Sequence, residues 1–72
     1  MKQIQIKKCS VNGLWYSDLD TYKDRFYRVV EEPTNPVKLH GQNHVHFVYI
    51  VQRGVKEYVV IRDDAIVVSE EA

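Results

Sequence analysis

Seventy-two residues weighing 8.5 kDa leave room for one hydrophobic core, and 44% hydrophobic against 28% charged residues is a globular balance, not a disordered one. Ten basic residues against ten acidic ones give a net charge of zero, which argues against a chain held to nucleic acid or membrane by bulk charge. A single cysteine, Cys9, excludes an internal disulfide and a zinc-finger ligand set, and no apolar run approaches the roughly 18 residues of a membrane span.

The residue types favour strands. Valine is the commonest residue with 12 copies, joined by 5 Ile and 5 Tyr, whereas Ala, Leu and Met together number only 6. Branched and aromatic side chains suit a pleated, half-buried surface, and without disulfide or metal staples so short a chain must wrap its strands around one compact core or self-associate. The start of the chain lacks a signal-peptide core. The expectation is a soluble, cytoplasmic domain over residues 1–68, with a polar tail at 69–72.

Taken in chain order, Lys2 to Cys9 reads as a first strand, Ile4 and Ile6 alternating with Gln3, Gln5 and Lys7. Asn12-Gly13 marks a turn. Leu14 to Asp24 reads as an irregular loop with at most one helical turn, because Ser17-Asp18 and Asp20-Thr21 are cap and turn chemistry. Arg25 to Glu32 is a second strand with Tyr27 and Val29 on one face and Phe26, Arg28 and Val30 on the other. Both faces are apolar enough that the pattern does not choose between them.

Pro33, Pro36, Gly41 and Asn43 then break strand pairing, giving one long loop at about 32–44. His44 to Gln52 is a third strand, with Val45, Phe47, Tyr49 and Val51 sharing a face. Gln52-Arg53-Gly54 is a tight hairpin turn, Val55 to Ile61 returns, and Arg62-Asp63-Asp64 is a short turn before a last strand at Ala65 to Val68.

This order of five strands resembles the all-β Src-homology-3-like small barrel, in which one short turn separates the last two strands. More narrowly, Gly13-Leu14-Trp15-Tyr16, Phe26-Tyr27-Arg28-Val29-Val30-Glu31-Glu32 and the closing segment from Tyr58 to Val68 are similar to short uncharacterised proteins of tailed phages and prophages of Gram-positive bacteria. Here Tyr22-Lys23-Asp24-Arg25 stands where those proteins have Ile-Gly. The resemblance implies a phage- or prophage-encoded accessory protein that binds a host or phage protein, and it brings no catalytic residues.

Trp15, Tyr16, Tyr22, Tyr27, Tyr49 and Tyr58, with the acidic loop residues Asp18, Asp20 and Asp24, are candidates to line a peptide-binding groove, and Trp15, Tyr16, Asp18, Asp20 and Tyr22 lead among them. Lys7, Lys8, Lys23, Arg25 and Arg28 form an alternative basic face for single-stranded nucleic acid, opposed by Asp18, Asp20 and Asp24 in the same region. His40, His44 and His46 are weak candidates for a metal site: His44 and His46 share a strand face, but no acidic residue or fourth ligand accompanies them. Cys9 reads as a small strand hydrophobe. No phosphate loop, nucleophile elbow or paired-carboxylate spacing is present, so neither an enzyme nor a cofactor is expected. A homodimer through an uncovered strand edge in Val45 to Val51 is a further possibility.

Overall fold

A computed structural model describes residues 2–39 and 41–70. The fold is all-β apart from one helical turn and one 3₁₀ turn. The elements are β1 (Lys2–Ile6), α1 (Leu19–Tyr22), β2 (Phe26–Glu31), β3 (Val37–Lys38), β4 (Val45–His46), β5 (Val48–Arg53), β6 (Lys56–Ile61), the 3₁₀ turn Arg62–Asp64, and β7 (Ala65–Glu70). Five strands make one antiparallel sheet in the order β6-β5-β2-β1-β7, and β3 and β4 form a separate two-stranded ribbon.

The two edge strands, β6 and β7, are consecutive in the chain and joined by only three residues. Laid flat, five strands would hold their edges about 19 Å apart, whereas the connection spans at most about 13 Å. The sheet therefore has to curl. Bulges at Val30, where Val29 and Glu31 face Val51 and Ile50, and at Val68, where Gln3 and Ile4 face Ser69 and Val67, sharpen the local twist. No β6–β7 ladder closes the sheet among the described residues.

Alternation decides the core. Ile4 and Ile6, Tyr27 and Val29, Tyr49 and Val51, and Val60 point inward and pack with Tyr16 into one buried cluster. In β2 the buried face is therefore that of Tyr27 and Val29, and Phe26 is left 63% exposed. The β5–β6 hairpin turns on Gly54-Val55, with Arg53 opposite Lys56. Gly54 has φ +62° and Val55 a negative φ, the pattern of a II′ turn led by glycine.

Three expectations change. The connection at 32–44 is not an unbroken loop, because Val37 and Lys38 pair with His46 and Val45, and the Arg62 guanidinium donates to Pro33 O at 2.7 Å. The third strand breaks at Phe47, so Val45 and Phe47 are exposed and only Tyr49 and Val51 of the expected face reach the core. Ser69 and Glu70 continue β7 instead of fraying, and 71–72 lie outside the described residues.

The 3₁₀ turn is anchored from within. Asp64 is fully buried, and its Oδ2 accepts hydrogen bonds from the Tyr16 hydroxyl at 2.7 Å and from the Ser10 backbone N–H and hydroxyl at 3.1 Å each. Tyr16 Oη in turn accepts from Ile61 N–H at 3.1 Å. Burial raises the Tyr16 pKa far above the ordinary tyrosine value, and Asp64 adds to that through its hydrogen bond and charge, while the Ile61 N–H opposes it.

Because the folded-state value lies above the unfolded one, the unfolded chain loses this proton first. Stability is intact below about pH 10 and falls above it, by up to about 1.4 kcal/mol per pH unit for one such group. Urea unfolding across alkaline pH should show that decline, and a Tyr16→Phe variant should show a shallower one. An identical slope in the variant would exclude Tyr16 as its source.

Candidate functional site

The aromatic residues gather around Trp15. Tyr16, Tyr22, Tyr27 and Tyr58 approach its ring at centroid separations of 5.2 to 5.4 Å, three of them edge-on. These come from the segment after β1, from α1, from β2 and from β6, so the cluster ties together parts of the chain that are distant in sequence. The Trp15 indole N–H donates to Val59 O on the outer edge of β6 at 2.6 Å. Together with the Ile61 N–H to Tyr16 Oη bond, two side chains thus occupy edge groups that a neighbouring strand would otherwise take.

Arg53, at the end of β5, lies over this cluster. Its guanidinium carbon is 4.7 Å from the Trp15 ring centroid, 5.0 Å from Tyr22 and 4.9 Å from Tyr58. Such stacking holds a cation in place without neutralising it. Among the described residues no carboxylate pairs with Arg53 or with Arg25.

Beside Arg53 an open groove of about 620 Å³ runs between the start of β2 and the β5–β6 hairpin, walled by Arg25, Phe26 and Tyr27 on one side and by Gln52, Arg53 and Tyr58 on the other. Tyr27 is 6% exposed, and its buried hydroxyl has no hydrogen-bond partner among the described residues. An unpaired buried hydroxyl costs about 1–3 kcal/mol. Burial raises the Tyr27 pKa, while the charges of Arg53 and Arg25 pull it down.

The candidates read from the sequence divide. Trp15 and Tyr22 belong to the half-buried cluster. Tyr16 is fully buried and bonded to Asp64, so it is a core residue and offers a partner no surface. Asp18 and Asp20 are exposed but used locally: Asp18 accepts the Thr21 hydroxyl at 2.7 Å where α1 begins, and Asp20 pairs with Lys23 at 3.4 Å. That pairing also takes Lys23 out of the basic face, while Lys7, Lys8 and Arg28 remain exposed.

His44 is exposed, His46 is half-buried in β4, and His40 lies outside the described residues; among the described residues no group of three His, Cys, Asp or Glu side chains converges. Cys9 is partly buried against the core, its thiol donating to Val11 O.

Of the groove residues, Tyr27 and Tyr58 are among the aromatics read from the sequence, whereas sequence reasoning missed Arg53 and Phe26. Arg53 read as a turn residue, and nothing local marks a turn arginine as stacked. No family model matches the chain, and neither curated proteins nor solved structures give a match. No helix among the described residues is long and apolar enough to cross a membrane.

Proposed function

We propose that this chain is a small non-enzymatic binding module, a Src-homology-3-like barrel encoded by a phage or prophage, that binds a host or phage protein. The strand order supports the barrel reading, since β7 returns beside β1 after a three-residue turn. The observation that carries the binding reading is Arg53, an unneutralised cation fixed on Trp15, Tyr22 and Tyr58 at the rim of a groove. Aromatic and arginine side chains held rigid at a surface are the groups that dominate protein interfaces.

Capture from a host lysate tests this. Wild-type protein should recover a specific protein partner, and Phe26→Ser or Tyr22→Ala should reduce recovery by at least about tenfold, as hot-spot truncations do. Equal recovery by wild type and both variants would remove the groove and cluster from the interface.

Self-association is the second reading, and the edges favour it at β7, not at Val45 to Val51. β5 is interior to the sheet, and β4 has one edge paired with β3, so of the expected edge only the far side of two residues is left. At the ends of the sheet, β6 is blunted by Trp15, Tyr16, Lys56 and Glu57, whereas β7 exposes Ile66, Val67 and Val68 without an intervening charge. Light scattering over a wide concentration range would find a dimer that Val67→Lys dissolves; a single-chain mass throughout would end this reading.

A further inference from the structure

The groove beside Arg53 combines three features that share one chemical demand. Arg53 is stacked, Arg25 lines the same groove, and among the described residues neither pairs with a carboxylate and the buried Tyr27 hydroxyl has no acceptor. Gln52 donates its amide to Gly54 O at 3.2 Å and, being neutral, does not balance the arginines. Arg25 uses Nε on Thr21 O at 3.3 Å, which steadies its side chain while keeping its charge. Three donor side chains line one groove, and no carboxylate pairs with the two arginines among the described residues.

Two guanidiniums and a phenol hydroxyl suit one small oxyanion. They do not suit a run of phosphates: the segment leading into the groove exposes Asp18, Asp20 and Asp24, which would repel a polyanion. The groove is also walled by the 63%-exposed Phe26 ring, an apolar surface for the chain that carries the anion.

We propose that this groove is the subsite for an acidic side chain, the carboxylate of a Glu or Asp in an extended segment of the partner protein, held between Arg25 and Arg53 and accepting the hydrogen bond of Tyr27 Oη. The proposal rests on the binding-module reading and deepens it by giving the chemistry of the partner. Charge-assisted bonds from a forked guanidinium to a carboxylate supply direction as well as strength.

The test is an amide-resolved NMR titration of the full chain with acetyl-Ala-Glu-Ala-amide. The same titration is run with the Gln counterpart, inorganic phosphate and a short oligothymidylate. The Glu peptide should produce saturating shifts at Phe26, Tyr27, Arg53 and Gly54 with a Kd on the order of millimolar. The Gln peptide should bind at least about tenfold more weakly. Arg25→Gln, an exposed position that leaves the core intact, should weaken the Glu peptide about tenfold, and Tyr27→Phe about fivefold.

Equal shifts from the Glu and Gln peptides, or none at these amides up to about 20 mM, would overturn the subsite. Tighter binding of phosphate than of the Glu peptide would overturn the carboxylate assignment, and tighter, steeply salt-dependent binding of the oligothymidylate would replace protein by nucleic acid. A partner protein bound equally by wild type and by the Arg25→Gln, Tyr27→Phe double variant would overturn the subsite alone and leave the binding-module reading standing.

Discussion

Asp64→Ala should leave the protein largely unfolded at 25 °C. The carboxylate is fully buried, and one of its oxygens collects the Tyr16 hydroxyl and both donors of Ser10. The same residue's backbone carbonyl accepts from Lys7 N–H at 2.8 Å, so the 3₁₀ turn is fastened to the end of β1 by main chain and side chain together. Truncation keeps the main-chain bond and removes the other three.

Breaking a buried charged network by removing one partner costs about 3–5 kcal/mol, and a core of this size supplies little more than about 3–5 kcal/mol in total. Urea unfolding followed by Trp15 fluorescence measures the change. Asp64→Asn keeps an acceptor oxygen and removes the charge whose Oδ1 has no partner among the described residues, so it should lose clearly less than the alanine variant. An alanine variant within about 1 kcal/mol of wild type would show that the network contributes little to stability.

How much of this could be read from the residues follows the range of the forces involved. Period-two alternation is local, and it was enough to find β1, β2, β5, β6 and β7, the Gly54 turn and the short turn at Arg62–Asp64. What it could not supply were contacts between distant segments. Asp64 reads as turn chemistry because an acid in a turn is unremarkable; it is buried because Ser10 and Tyr16, 54 and 48 positions away, close over it.

Tyr16 reads with Trp15 as surface because adjacent aromatics look alike in sequence. The structure turns one wholly inward and leaves the other half-exposed. The β3–β4 ribbon has two residues on each strand, too short for any periodicity to register. Pro33 and Pro36 gave the opposite signal. The groove was the least legible feature, since Arg25 and Arg53 meet there only through the pairing of β2 with β5.

Trp15→Ala should cost about 2–3 kcal/mol, below the range for a fully buried aromatic because Trp15 is half-exposed, and it should change behaviour as well as stability. Four tyrosine rings lose their common neighbour, and Arg53 loses the nearest of its three stacking partners. The Val59 carbonyl on the outer edge of β6 loses its donor, so an edge that was capped becomes open to another strand. Thermal unfolding should shift down by at least about 8 °C, and light scattering should reveal concentration-dependent association of the folded variant.

Trp15→Phe separates the two contributions, because a phenyl ring keeps most of the aromatic packing and lacks the indole donor. Its loss should be limited to about 1–2 kcal/mol, while its tendency to associate should approach that of the alanine variant. If Trp15→Phe remains monomeric at concentrations where Trp15→Ala associates, the indole hydrogen bond is not what protects β6. The protection would then lie with the bulk of the ring and with the charged pair Lys56 and Glu57 on the same strand.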